Sequence, residues 1–295
     1  MKGTVRLSCA WSNVCAAQQR ARQKSRNIGK LARIVLWDVS DKKISQPFGK
    51  ARSRARKIRS IQSAREAATG MKIEVVSVHF PKAAGSSLRR SFVTAYGEDA
   101  VFFDYADDPA DPCSRWSLDP DGCRRAAERA RFSSSTRVVH GHFHPLKYQF
   151  VKAAKRITFL RHPVDNLISI YCFWKTCSEG HCLFNYFRDN QLSLLDLARI
   201  PAIRHLFTKT YFSRVDMNVF DFIGFMENYA QDLQTLSNLL GVPLRETQEN
   251  VNKHPNYEEI KGTIKADAAL MAKLQDCLLE DVRFYEKLRS LRSAQ

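Results

Sequence analysis

Apolar positions become regular only after residue 70. Val75-Val76-Ser77-Val78 is a β-branched run closed by a Pro-Lys-Ala-Ala-Gly turn, which predicts a buried strand. From Ser86 to Tyr96, Leu88, Phe92 and Ala95 share one side of a 3.6-residue period, which predicts a helix. Short apolar runs at Val101–Phe103, Arg137–His140 and Ile157–Leu160 predict three more strands, and Phe222–Gly224 predicts a last one. Helices are expected over Arg124–Arg131, Val164–Trp174, Tyr229–Leu240 and Asp267–Arg289; Pro163 suits the first turn of the second. Asp107–Asp121, with three prolines, reads as a polar loop. The alternation implies an α/β fold with a central, mainly parallel sheet flanked by helices. No internal repeat is present.

Charge changes the picture at one end only. The 295 residues carry a formal net charge of +17, which taken alone suggests an acidic polymer as partner. Residues 1–70, however, hold 17 of the 47 Lys/Arg and only 3 of the 30 Asp/Glu, so 71–295 nets just +3. The expected division is a basic, disordered leader over 1–70 and one catalytic domain over 71–295. The leader fits a transit peptide, a polyanion-binding arm or an untranslated stretch, with Met71 as the start before the first strand. No run approaches the ~18 apolar residues that span a bilayer, and eight cysteines do not make a disulfide scaffold. The expectation is a cytoplasmic protein. An organelle reached through the leader is the alternative, or the Golgi lumen if a membrane anchor is missing.

Two segments carry anion chemistry. In His79-Phe-Pro-Lys82-Ala-Ala84-Gly85-Ser86-Ser87-Leu88 a strand runs through a Gly-containing turn into a helix. Helix N-terminal amides point at a ligand there, and the helix dipole favours negative charge. Gly85 permits close approach, Ser86 and Ser87 offer hydroxyls, and Lys82 brings a mobile charge. Lys82 precedes the glycine, so this is not a Walker A loop. Phe159-Leu-Arg161-His-Pro163 through Ser169 is the second segment: Arg161 ends a strand, where α/β ligands usually bind, and Ser169 follows two turns into a helix.

A third segment carries acid–base chemistry. His140, His142 and His144 share a face if the strand at Val138 continues. Three readings fit: a metal site, structural histidines, or a catalytic base.

Together the first two segments resemble PAPS-dependent sulfotransferases (PAPS is 3′-phosphoadenosine-5′-phosphosulfate), in particular the carbohydrate and uronyl 2-O-sulfotransferase branch, over about Ile73–Tyr285. The resemblance implies a P-loop-like fold and PAPS as cosubstrate, with PAP as product and no metal. It implies a 5′-phosphosulfate loop through Lys82, Ala84, Gly85, Ser86 and Ser87, and a 3′-phosphate grip by Arg161 and Ser169. His142 is then the base, His140 an assisting group and Lys82 the stabiliser of the leaving oxygen. Asp104 and Glu98 are alternative bases, because other carbohydrate sulfotransferases use a carboxylate. The implied acceptor is a glycan hydroxyl, with no obligate nucleic acid. A contrasting reading is a polyanion- or nucleic-acid-binding protein acting through its leader on an inactive scaffold.

Weaker signals remain. Cys113 and Cys123 flank the proline-rich loop and would pair in an oxidising compartment; Cys172, Cys177 and Cys182 with His181 fit no common zinc spacing. Asn250–His254 resembles the family's late loop over the nucleotide. Trp116, Phe173 and Trp174 are candidates for stacking on adenine or sugar.

Overall fold

The computed structural model describes residues 72–152, 154–246 and 256–293. The chain divides into two units, Met1–Ser45 and Gln46–Gln295, and the described residues lie in the second. The expectations for the leader and for Asn250–His254 fall outside the described residues.

Among the described residues, five parallel strands form one sheet in the order β2-β3-β1-β4-β5. They are β1 (Val75–Val78), β2 (Val101–Asp104), β3 (Val138–Gly141), β4 (Lys155–Leu160) and β5 (Phe222–Phe225). The central strand β1 is buried along its length, as its valine-rich run requires of a sheet covered on both faces, and its one polar residue, Ser77, is partnered by His140. Strand β2 lies on one side of β1 and β4 on the other, so the order reverses at β1. Ligands bind at such switch points, beyond the carboxyl ends of the strands.

The helices are α1 (Gly85–Tyr96), α2 (Arg115–Leu118), α3 (Pro120–Arg129), α4 (Pro163–Thr176), α5 (Cys182–Asp189), α6 (Leu194–Arg199) and α7 (Pro201–Arg204). After β5 come α8 (Tyr229–Leu240), α9 (Tyr257–Ala266), α10 (Ala268–Cys277) and α11 (Leu279–Ser293). A π-helical segment, Leu206–Tyr211, follows α7. No described helix is long and apolar enough to cross a membrane.

Apart from the short α2 and the start of α3 inside the expected Asp107–Asp121 loop, the structure departs from the expectations in four places. The predicted helix over Asp267–Arg289 is two helices; the break at buried Leu278 turns the Asp281 carboxylate onto the amides of Phe207 and Thr208. The stretch after α4 holds three short helices where the periodicity showed none, because four to eight residues carry too few turns. Its legible signs are the capping box of Ser193 and Asp196 at α6 and Pro201 in the first turn of α7. The third departure is the end of β3 at Gly141. A Cβ there would lie 1.8 Å from the Asp104 carbonyl oxygen, and beyond it the chain leaves the sheet. His144 therefore caps a 3-10 turn and stacks on Trp116, 4.3 Å between centroids, away from the other two histidines.

The fourth departure concerns the cysteines. Cys113 pairs with Cys182, not with Cys123, and ties the proline-rich loop to the start of α5. Cys123 is buried and its thiol donates to Asp107.

Candidate active site

Around residues 82–84 the backbone is unusual. Lys82 and Ala84 both take left-handed conformations, φ 57° and 60°, although neither is glycine. Such residues cost of order 1–3 kcal/mol each, and they persist where the surroundings require them. Alternating handedness turns successive amides toward one concavity, an arrangement that binds anions. Ala84 is also the N-cap of α1 and offers no side-chain cap, so the first-turn amides keep their donors for a ligand. The loop is held from α4, where the Asn166 side-chain amide donates to the Pro81 carbonyl at 2.6 Å.

Gly85 has a steric reason. The His79 imidazole lies against its α-carbon, and a Cβ would fall 1.6 Å from Nε2. His79 in turn stacks on His142 at 4.1 Å and on His140 at 5.2 Å. Burial, then the neighbouring histidines and cations, hold His79 well below the ordinary imidazole range.

One cleft of about 1090 Å³ is lined by Lys82, Ala84, Gly85, Ser86, His142, Arg161 and Ser169. The expected residues are thus brought together, apart from two that lie behind the surface. Ser87 is fully buried under the loop. His140 is fully buried too, with Nδ1 at 2.9 Å from Ser77 Oγ and Nε2 at 3.2 Å from the Gly85 carbonyl. Burial, with His142 beside it, pushes His140 down to about 3, and its contacts brace the phosphate loop against β1.

Of the cations lining the cleft, Lys82 and Arg161 neighbour each other. The Lys82 ammonium sits 4.1 Å from the Phe173 ring centroid, and burial, then Arg161, lower its pKa. Arg161 follows β4, and its Nη2 donates to the Tyr257 hydroxyl of α9 at 3.1 Å. A lysine depressed by burial and by a neighbouring guanidinium is what a site built for a polyanion produces before the anion arrives. Ser169, on the inward face of α4, is 2 % exposed yet reaches the cleft.

The carboxylate alternatives are placed elsewhere. Asp104 is buried and accepts from Lys147 Nζ at 2.5 Å and from the Tyr148 hydroxyl at 2.8 Å. Glu98 sits exposed on a 3-10 turn. Neither lines the cleft.

His142 does line it, and its partners went unforeseen. Its Nδ1 is 3.2 Å from the Tyr211 hydroxyl, which donates to Asp108 Oδ1 at 2.6 Å. Burial lowers the His142 pKa, against the pull of Asp108 and a main-chain contact with His79. Tyr211 is 69 residues from His142 in sequence, and no motif marks either it or Asp108. Trp174 and His181 line the same cleft, 5.4 Å apart edge to face. Trp116, by contrast, is buried against His144. Asp111 lies with Cys113 and Cys182, their ligand-type atoms within 4.8 Å of one another, but both sulfurs are in the disulfide.

A structure of mouse sulfotransferase SULT7A1 complexed with PAP is similar at 12% identity and TM-score 0.30, covering 69% of this chain and 67% of that one. A sulfotransferase from Alicyclobacillus acidocaldarius is similar at 17% identity and TM-score 0.30, covering 70% of this chain and 96% of that one. No curated protein matches the chain in sequence. The sulfotransferase family model matches residues 68–287, well over half of the chain and all of the cleft's motifs. The chain belongs to the sulfotransferase family.

Proposed function

We propose that this enzyme transfers a sulfuryl group from PAPS to a carbohydrate hydroxyl, with His142 as general base. The observation that carries the reading is the shared cleft of Lys82, Arg161, Ser169 and His142: two anion grips with a titratable nitrogen beside them. The amides around Lys82 and Ala84 hold the 5′-phosphosulfate end, and Arg161 with Ser169 holds the 3′-phosphate. Arg161 suits that role because its fork of donors matches a phosphate's oxygens.

The acceptor oxygen attacks sulfur while its proton passes to His142. The new O–S bond forms as the bond from sulfur to the bridging oxygen breaks. The electron pair leaves on that oxygen as part of PAP, where Lys82 meets the growing charge. The balance is PAPS plus alcohol giving PAP, sulfate ester and one proton, which His142 then returns to solvent. A lowered imidazole pKa keeps the base neutral and ready at neutral pH. Trp174 on the acceptor side offers an apolar face of the kind that packs against sugar rings.

The test is His142→Ala, assayed with labelled PAPS and a panel of glycan, lipid and phenolic acceptors. Expected are at least ~10²-fold slower turnover and unchanged PAP affinity, with glycans the preferred class in the parent. Near-normal turnover would remove His142 from the mechanism, and a phenolic or lipid preference would remove the carbohydrate.

A further inference from the structure

Tyr211 does not line the cleft. It is fully buried behind His142, at the end of the π-helical segment Leu206–Tyr211, and Phe80 packs edge-on against it at 5.0 Å. π-Helical turns are rare and recur at functional sites, because the extra residue per turn re-aims a side chain. Here the segment is held by Asp281, which accepts from both amides at its start, Phe207 at 2.8 Å and Thr208 at 3.0 Å. The fold thus fixes where the Tyr211 hydroxyl points.

That hydroxyl has one proton. Asp108 Oδ1 lies at 2.6 Å and a carboxylate only accepts, so the proton is directed there. Burial, and the Asp108 charge, hold the phenol pKa well above its ordinary value, so the phenol stays protonated. Toward His142 Nδ1, 3.2 Å away, the oxygen then offers only lone pairs, and Nδ1 must be the donor. A neutral imidazole has a single N–H. With it committed to Nδ1, Nε2 is left as the acceptor.

We propose that Tyr211, backed by Asp108, is a positioning residue that holds His142 in the Nδ1–H tautomer and so presents its Nε2 lone pair to the acceptor hydroxyl. The inference rests on the reading of His142 as base and adds what makes it one. Without Asp108 the Tyr211 proton is free to turn to Nδ1, which forces the N–H onto Nε2 and blocks the base. The groups facing His142 are His79, stacked on one side and hydrogen-bonded to it through its main chain, Tyr105 edge-on at 5.1 Å, His181 across the cleft, and the Tyr211–Asp108 pair. Only that pair both contacts Nδ1 and carries a proton of determined direction.

The experiment compares full-length wild type, Tyr211→Phe, Asp108→Asn and His142→Ala by steady-state kinetics, PAP affinity and ¹⁵N NMR of the imidazoles. Expected are an Nδ1–H tautomer for His142 in the wild type and its loss in Asp108→Asn. In both positioning variants kcat should fall about 10- to 100-fold, within the whole ~10²–10⁴ of a general base. KM for PAPS should hold, and the acid limb of the pH–rate profile should move. An Nε2–H imidazole in the wild type, satisfied by the His79 main chain, overturns the inference even if a variant fails to fold. Wild-type kcat and pH profile in Tyr211→Phe and Asp108→Asn, with His142→Ala inactive, overturn it alone. An active His142→Ala instead overturns the base reading beneath it.

Discussion

The His79 imidazole packs on the bare α-carbon of Gly85, so the residue that opens the phosphate loop is also the one that forbids a side chain within it. His79 cannot retreat easily, because His142 and His140 are stacked beside it. Gly85→Ala should therefore shift His79 and distort the first-turn amides of α1, weakening PAP at least ~10-fold, as expected for a lost charge-assisted hydrogen bond. His79→Ala in the same chain makes room and should restore most of that affinity. Calorimetric titration of PAP into the two variants checks it; a tight-binding Gly85→Ala would contradict the steric account.

Arg161→Lys keeps the charge and loses the fork. Hydrogen bonds to charged groups contribute about 1.5–3 kcal/mol, so PAP affinity should fall roughly 10- to 100-fold. Adenosine 5′-monophosphate, which lacks the 3′-phosphate, should be nearly unaffected. Equal losses for both nucleotides would place Arg161 on the 5′ side instead.

Acid should destabilise the fold before it protonates most carboxylates. His140 and His144 are driven to about 3 by burial, whereas an unfolded chain binds their protons below ~6.5. Between those values the unfolded state holds more protons, so stability falls as pH drops through the window. Asp281, raised to about 6 by burial, acts with the opposite sign over a narrower span. Urea midpoints should decline steadily from pH 7 to pH 4, and His144→Gln should flatten the slope. An unchanged midpoint across that range would mean these imidazoles take up protons in the folded state.

The Cys113–Cys182 bond closes a span of 69 residues. On the chain-entropy account such a loop constrains the unfolded state by about 4 kcal/mol, and natural disulfides commonly contribute ~2–5. Cys113→Ser with Cys182→Ser should lower the unfolding free energy by that order in denaturant titration. The loop carrying Asp108 would lose its tether to α5, so KM for the acceptor should rise more than KM for PAPS. Equal changes in both constants would separate the tether from the acceptor side.

The strands, the first helix and both anion segments were legible because each is local. A valine-rich run reads as a covered strand, and a glycine turn before a helix reads as a phosphate loop whatever surrounds it. The short helices after α4 were not legible, since their periodicity is spent before it can register. By pattern alone His140 and His142, two residues apart, share a face, and only the family resemblance gave them different roles. The strand end at Gly141 separates them, leaving one braced between Ser77 and Gly85 and the other facing the cleft.

The sequence by itself determined which chemistry is available: a lysine and open amides after β1, an arginine and serine after β4, histidines at the end of β3 and just past it. The tertiary structure decided that these three strands are neighbours, with β1 between β3 and β4, so segments far apart in sequence share one cleft. It also decided the partners of His142. Asp108 lies in a loop and Tyr211 in a π-helical turn held by Asp281, and only the packing of those distant elements gives the imidazole a direction for its proton. Local pattern specifies backbone state and residue type. Hydrogen-bond partnership across such separations depends on which surfaces the core brings into contact.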